Sequence, residues 1–323
     1  MNDQPRGLGR RKLIRWTLMV VVLAVVVYFF ARALITNWDQ VQQADLRFSG
    51  WWIVATLLFA VAVPVTGLVW GRMLRRLDPG PHFSALETMV LQSSSWLLKY
   101  IPGQVGSVVN KVMWGAKRGI SRMLIAISFV YENVFLQLVS IIPAVIILMI
   151  ALGPAIFGEN LLTVLLPLAA LVPFGLILWK PFFRRLINIP ARRVLKQEVP
   201  EKYFLSGAAI VITFLEFIPS RMLNGVGFVI LASTVVPVEP TEWLPLASAY
   251  VLAGAIGILV FFVPSGLGVR EAIIVLILSA YMTTAEAIVI ALLARLISTV
   301  GDAVVALFYV SARSVLQGKA ADA

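Results

Sequence analysis

Apolar runs that are too long for the interior of a soluble domain recur along this chain. The run from Met123 to Ala151 contains a single charged residue, Glu132. About 20 consecutive apolar residues in a helix suffice to cross the hydrocarbon core of a bilayer. Hydrophobic side chains make up 60% of the 323 residues and charged ones only 13%, which is far from the composition of a soluble domain. The sequence therefore predicts an all-α polytopic membrane protein.

The chain is strongly basic, with a formal net charge of +11. Its Lys and Arg residues fall in short clusters between apolar runs, where they act as topology signals and as contacts for lipid phosphates. We therefore expect no nucleic-acid partner. The chain has no cysteine and a single histidine, His82, so disulfides are excluded and a histidine metal site has little scope. No metal and no cofactor are expected.

The basic clusters also predict the orientation of the spans, because cytoplasmic loops are enriched in Lys and Arg. This rule places both termini in the cytoplasm and predicts about six full spans plus two re-entrant helical hairpins. The predicted segments are a basic N-terminus at 1–15, two leading transmembrane helices within 16–83, a first repeat at 84–179, a basic cytoplasmic loop at 180–203, a second repeat at 204–312 and a cytoplasmic tail at 313–323.

Two apolar runs are interrupted by proline and glycine. Pro264, Gly266 and Gly268 fall within the second of these runs. A helix crossing them would lose a backbone hydrogen bond at the proline and be weakened at each glycine. We interpret the breaks at 101–106 and 263–268 as the tips of two re-entrant hairpins. The alternative is that each hairpin arm crosses the membrane fully. Two extra crossings per hairpin would leave each of the other loops on the side already predicted for it.

The two breaks share a spacing. Pro102 and Gly106 align with Pro264 and Gly268, and the members of each pair are four residues apart. Each break is followed by a short arm and a long apolar span. The loop charges predict that the two hairpins enter the membrane from opposite faces. These features predict an inverted repeat, which is typical of transporters whose substrate site lies between interrupted helices. The alternative is that the motif recurs by chance in a chain rich in proline and glycine.

Charged side chains recur at helical spacing inside three predicted spans. In the last span Arg295 and Asp302 lie on one face, and Glu132 and Glu216 occupy similar polar stripes in two others. A charge in hydrocarbon costs about 2.5 kcal/mol or more on insertion scales, so it must face protein, water or a ligand. We expect a polar groove between the repeats. The alternative is internal pairing, of Glu132 or Glu216 with Arg295 or Arg221.

The candidate substrate-binding residues lie on these polar faces and around the two breaks. Helix ends at a break direct unpaired backbone N–H groups toward an anion such as a lipid phosphate, and Lys99, Lys111 and Arg270 would add full charges. The candidates are Lys99, Pro102, Gly103, Gln104, Gly106, Asn110, Lys111, Glu132, Asn133, Glu216, Arg221, Pro264, Ser265, Gly266, Gly268, Arg270, Glu271, Arg295 and Asp302.

The motifs from Lys99 to Gly106 and from Pro264 to Glu271 resemble those of the lysylphosphatidylglycerol synthase transmembrane-region family. The resemblance covers nearly the whole chain after the first span. It implies a lipid-translocating domain of a bacterial or archaeal inner membrane, with the motif residues near the substrate path. Bifunctional members carry a soluble aminoacyl-transferase domain after the membrane part. This sequence ends soon after its last predicted helix, so we expect a stand-alone protein that makes no aminoacylated lipid itself.

Together these patterns favour a flippase-like or scramblase-like transporter of a phospholipid or polyprenyl-type lipid. The expected partners are membrane lipids with anionic or phosphate-bearing headgroups, and a homo-oligomer or a lipid-modifying enzyme are further candidates. One alternative is a membrane-embedded transferase acting on a lipid-linked substrate, and another is a membrane partner of a separately encoded lipid-modifying enzyme. The sequence has no Asp-x-Asp, His-Glu-x-x-His or Gly-x-Ser-x-Gly signature, so no enzymatic activity is expected.

Overall fold

The computed structural model describes residues 32, 35, 49–98, 105–153, 161–196, 198–259, 266 and 268–321. Within these residues the chain forms ten α-helices and two short 3-10 helices, and no strand. The helices are α1 (Trp51–Leu77), α2 (Ala85–Leu97), α3 (Val105–Ala116), α4 (Arg122–Leu152), α5 (Leu161–Leu178), α6 (Lys180–Leu195), α7 (Gly207–Ala232), α8 (Trp243–Leu259), α9 (Val269–Leu278) and α10 (Thr284–Ala321). The prediction of an all-α polytopic membrane protein is confirmed. The predicted basic N-terminus and first span lie outside the described residues, apart from positions 32 and 35.

Five helical segments are long and apolar enough to cross a membrane. They are Trp51–Leu77, Arg122–Leu152, Glu201–Ala232, Pro240–Leu259 and Thr284–Gly318. Four of them coincide with predicted spans, and the predicted span at 161–179 forms the 18-residue helix α5. The segment Pro240–Leu259 contains α8, the first arm of the second predicted hairpin. At 1.5 Å per residue, α2, α3 and α9 are about 20 Å long or less, which is shorter than the hydrocarbon core of ~30 Å.

Hydroxyl side chains cap the first turns of several helices. Ser84 Oγ accepts a hydrogen bond from Glu87 N at 3.1 Å at the start of α2, and Ser206 caps α7 in the same way. Before α10, Thr283 Oγ1 accepts from Glu286 N at 3.3 Å while the Glu286 carboxylate accepts from Thr283 N at 2.9 Å. Such caps satisfy N–H groups that have no partner inside the helix, so they determine where each helix begins.

Two glycines allow α2 to lie directly against α1. A Cβ atom on Gly67 would be 2.5 Å from the Gln92 Cβ, and one on Gly71 would be 2.7 Å from the Thr88 Cγ2. The four-residue spacing puts both glycines on the same face of α1. Larger residues at these positions would therefore separate the two helices.

The helices form two sets of four with matching contacts. In the first set, α1–α4, α2 packs on α1, and α3 packs on both α2 and α4. In the second set, α7–α10, α8 packs on α7, and α9 packs on both α8 and α10. Across the sets, α1 lies along α7, α2 lies against α10, and α8 lies against α4. The first arm of each predicted hairpin therefore contacts the long helix of the other set.

The apolar core has two parts, and α7 contributes to both. One part contains Phe135 of α4 and Phe217 of α7, whose rings stack with centroids 6.0 Å apart. The other contains Phe228 of α7 and Tyr250 of α8, stacked at 4.7 Å. Aromatic pairs at this separation add to the stabilisation from burial itself. Helix α7 thus joins the two parts of the apolar core.

Candidate functional site

Helix α2 ends at Leu97 and α3 begins at Val105, while α8 is described to Leu259 and α9 begins at Val269. Most of the two predicted breaks, 101–104 and 263–265 with 267, lies outside the described residues. Several predicted site residues at the tips lie outside the described residues, namely Lys99, Pro102, Gly103, Gln104, Pro264 and Ser265. Gly106 lies in the first turn of α3, and Gly266 and Gly268 precede α9. The described part of the candidate site therefore consists of residues in α3, α8 and α9 and in the helices that pack on them.

The approach to α9 depends on glycine. Gly266 and Gly268 have φ angles of 65° and 80°, a region that residues with a Cβ atom rarely adopt. A Cβ atom on Gly266 would lie 2.8 Å from the Cα of Gly257 in α8. The N–H of Gly268 donates to Glu271 Oε2 at 2.7 Å. This local geometry sets the direction in which α9 leaves the break.

The first turn of α9 carries two charged side chains that contact different neighbours. The Arg270 guanidinium lies over the ring of Tyr250, with Cζ 4.2 Å from the ring centroid. Glu271 Oε1 is 3.8 Å from Nη1 of Arg295 in α10. Glu271 therefore pairs with Arg295, and Arg270 makes a cation–π contact with Tyr250.

Arg221 of α7 faces the same region. Its Nε atom is buried and has no hydrogen-bond partner in the described part of the chain, while the residue as a whole is partly exposed. Arg270 and Glu132 are close enough to interact with it electrostatically. Among the described residues, no carboxylate forms a salt bridge with Arg221 or Arg270. Arg221 and Arg270 thus interact with each other electrostatically, and neither forms a salt bridge within the described residues.

Lys111 and Glu132 form a buried ion pair between α3 and α4. Only 1% of Lys111 and 3% of Glu132 are exposed. Lys111 Nζ donates to Glu132 Oε2 and lies 4.4 Å from the centroid of the Trp70 ring. Sequence analysis treated Lys111 as a candidate contact for a lipid phosphate. In this conformation its ammonium group is instead neutralised by Glu132 and covered by an aromatic ring.

The family model described as Lysylphosphatidylglycerol synthase TM region matches residues 16–306. The match spans most of the 323-residue chain. The chain belongs to this family. Comparison with curated proteins gave no match. Members of the lysylphosphatidylglycerol synthase transmembrane-region family are membrane proteins related to lipid modification or transport, and membership implies an interaction with membrane lipids.

In this member of the lysylphosphatidylglycerol synthase transmembrane-region family, two predicted site residues join α2, the first arm of the first predicted hairpin, to neighbouring helices. Asn110 Nδ2 donates to Ser94 Oγ at 2.8 Å and to Ser95 Oγ at 2.9 Å, which joins α3 to α2. Asp302 Oδ1 accepts from Trp96 Nε1 at 2.8 Å, which joins α10 to α2. Both residues hold hairpin arms in place in this conformation.

Glu216 lies in a different group of charges. Its carboxylate accepts two hydrogen bonds from the Arg76 guanidinium, at 2.6 and 2.7 Å, and Arg72 Nη1 is 3.8 Å away. Arg76 also donates to Thr213 Oγ1 at 3.2 Å. Glu216 thus joins α7 to α1. Its partner is Arg76, whereas the internal-pairing alternative had paired it with an arginine of α7 or α10.

Many polar side chains on the predicted polar faces bond to their own helix. Asn133 Nδ2 donates to the Phe129 carbonyl at 2.9 Å. Hydroxyl groups that donate to a carbonyl one turn earlier belong to Ser128, Ser140, Ser220, Ser298 and Thr299. Such bonds satisfy the hydroxyl hydrogen without any ligand. In this family member, the charged residues are therefore the better candidates for contacts with a substrate.

Sequence analysis did not single out Tyr250, Trp70 or Arg76. An aromatic residue inside an apolar run carries no sequence signal of a cation contact. In the part of the chain that the structure describes, no group of three or more His, Cys, Asp or Glu residues is placed to hold a metal ion.

Proposed function

We propose that this protein moves a phosphate-bearing lipid across the membrane, as a flippase or scramblase does, and that the headgroup contacts Arg221 and Arg270. The observation that carries the proposal is that the Arg221 and Arg270 guanidinium groups interact electrostatically, while neither forms a salt bridge with a carboxylate of the described residues. An uncompensated charge in the hydrocarbon region is unfavourable. An anionic headgroup would supply the missing countercharge.

The chemistry of the two side chains suits a phosphate. A guanidinium group presents N–H donors in a planar fork that matches two phosphate oxygens. The unbonded Nε of Arg221 leaves such a donor without a partner. Tyr250 lies beneath the Arg270 guanidinium and restricts its orientation. Phospholipids and polyprenyl phosphates share this phosphate chemistry, so both belong to the proposed substrate class.

We also propose that α1–α4 and α7–α10 are the two inverted repeats. The sequence predicted repeats at 84–179 and 204–312, and the division proposed here differs in assigning α1 to the first repeat and α5 to neither. The matched contacts within the two sets and the reciprocal contacts between them support this division, as do the interior prolines Pro64 in α1 and Pro219 in α7. In transporters built this way, one repeat moves against the other around a central site.

The proposed setting is the cytoplasmic membrane of a prokaryote, with both termini in the cytoplasm. The basic segment at 180–203 supports this orientation, because Lys and Arg accumulate in cytoplasmic loops. The proposed cargo leaves the protein chemically unchanged. An enzyme acting on a lipid-linked substrate would instead release a covalently altered lipid.

A liposome assay tests the function directly. Purified protein is reconstituted with fluorescent phosphatidylglycerol or with a fluorescent polyprenyl phosphate, and a membrane-impermeant reductant bleaches the label in the outer leaflet. Wild-type protein should expose inner-leaflet label faster than empty liposomes do. Arg221→Gln and Arg270→Gln should slow this at least roughly tenfold, since a hydrogen bond to a charged group contributes about 1.5–3 kcal/mol.

The matched control is Arg313→Gln, which removes one positive charge from an exposed position near the end of α10. It should transport both lipids at the wild-type rate. Wild-type protein that moves neither lipid would overturn the proposal. Mass spectrometry of the recovered lipids should show them unaltered, and a new covalent product would favour the transferase alternative.

A further inference from the structure

Helix α6 packs one side against the protein core. Phe183 is 1% exposed, and its ring lies 4.9 Å from the ring of Tyr131 in α4 and 5.7 Å from that of Phe204. Pro181 stands in the first turn of α6, where a missing N–H is tolerated. The helix is therefore a fixed element of the fold and belongs to none of the five candidate spans.

Basic side chains of α6 pair with the segment that follows the helix. Lys180 Nζ is 2.8 Å from Glu201 Oε1, and Arg184 and Arg192 both pair with Glu198. The neighbouring Asn188 is buried, and its Oδ1 accepts from the N–H of Val199 at 2.8 Å. Glu198 and Glu201 are thus both paired with basic side chains of α6.

Another side of α6 is uncovered and combines aliphatic with basic residues. Leu186 is 46% exposed and Ile189 is 56% exposed. Arg185 is exposed, shares a face with Ile189 by its four-residue spacing, and forms no salt bridge among the described residues. Trp179, at the residue before the helix, is 60% exposed.

We propose that α6 lies in the plane of the membrane surface and binds a leaflet containing anionic lipids. In this arrangement Leu186 and Ile189 enter the upper acyl region, and Arg185 contacts lipid phosphates. Helices with an apolar side and a basic side bind at the bilayer interface in this manner. A basic segment next to a membrane span is also attracted to anionic headgroups. The proposal does not depend on whether the protein transports lipid.

Lipid is the occupant favoured by charge and position. The uncovered side carries Arg185, which forms no salt bridge within the described residues, and its positive charge suits an anionic surface. The helix also directly follows α5, with only Trp179 between them, and tryptophan at such a position is typical of membrane interfaces.

The absence of cysteine from the whole chain allows a clean test. Ile189→Cys, Leu186→Cys and a reference, Lys117→Cys in the exposed turn after α3, are each labelled with a nitroxide in full-length protein. Accessibility to oxygen and to a water-soluble nickel chelate is measured by electron paramagnetic resonance in lipid nanodiscs. We expect positions 186 and 189 to favour oxygen several-fold, and position 117 to favour the nickel chelate.

The role of Arg185 is tested by lipid composition. In nanodiscs that contain phosphatidylglycerol, the label at position 189 should lie deeper than in pure phosphatidylcholine. Arg185→Gln should abolish this difference, and Arg313→Gln should preserve it. Nickel accessibility at position 189 equal to that at position 117 would overturn the proposal. So would efficient disulfide cross-linking of Ile189→Cys between two copies in membranes, which would assign this side to a dimer. If the label at position 189 of the protein with Arg185 intact lay at the same depth in both lipid compositions, recognition of anionic lipid would be refuted.

Discussion

The ammonium group of Lys111 and the carboxylate of Glu132 meet where neither side chain is in contact with solvent. Removal of one partner from such a pair leaves a buried, uncompensated charge, which typically costs about 3–5 kcal/mol. Lys111→Met and Glu132→Gln should therefore each lower the thermal unfolding temperature of the detergent-solubilised protein markedly.

The double variant Lys111→Met/Glu132→Leu provides the control for this pair. Replacement of a buried ion pair by apolar residues of similar volume is often neutral for stability, so the double variant should unfold closer to the wild-type temperature than either single variant does. A double variant whose loss equals the sum of the two single losses would show that the two residues act independently.

The contact of Glu216 with Arg76 should contribute measurably to the packing of α1 on α7. Both side chains are partly exposed, at 21% and 26%, so solvent screens the pair and its contribution is modest. A double-mutant cycle with Glu216→Ala and Arg76→Ala should give a coupling free energy of about 0.5–2 kcal/mol. Arg72→Ala is the comparison, because its longer distance of 3.8 Å and greater exposure predict a coupling near zero.

Gly266→Ala should disrupt the approach to α9. The positive φ angle and the contact with the Gly257 backbone both oppose a Cβ atom, and strain of this kind costs about 1–3 kcal/mol. Gly254→Ala, on the same α8 helix with no atom within 4 Å of the added Cβ, is the matched control. Thermal unfolding and lipid transport should both suffer in the first variant only, and equal behaviour of the two would argue against this close approach.

Acidification should loosen the segment that follows α6. Hydrogen bonding from Arg192, and the charge of Arg184, hold the pKa of Glu198 below its usual range. The stabilisation is therefore complete above the unfolded-state pKa of about 4.3, and it is lost as the pH falls through the lower pKa of the folded protein. Hydrogen exchange of the Val199 N–H, corrected for its intrinsic pH dependence, should accelerate below ~pH 4 in wild type. In Glu198→Gln the exchange should already be fast at neutral pH and should show no such transition.

Much of the fold follows from local rules. A run of apolar residues indicates a span by its length, so four of the five candidate spans were predicted from the sequence, whereas the fifth, Pro240–Leu259, was predicted as a hairpin arm. The sequence did not predict which charged residues pair with each other. Glu132 bonds to a residue on another helix, and Glu216 bonds to Arg76 across 140 positions of chain. Helical periodicity shows which residues share a face, but it says nothing about which helix that face meets.

The candidate site shows the same limit. Arg221 and Arg270 were recognised as charges in apolar surroundings, but sequence could not distinguish them from Lys111, which has a buried partner. The difference arises only from packing, because α3 brings Lys111 against α4 whereas α7 and α9 bring two like charges together. Tyr250 carries no sequence signal at all, since its contact with Arg270 depends on the angle at which α8 and α9 meet.

The bond from Trp96 to Asp302 connects α2 to α10 across 206 residues of chain, and this has a consequence for biogenesis. Contacts between such distant segments form late, because both segments must be present before the contact energy can offset the entropy cost of closing the intervening loop. While the protein is being synthesised, α2 is made well before its partner. Helix α2 therefore lacks this contact until α10 has been synthesised and inserted.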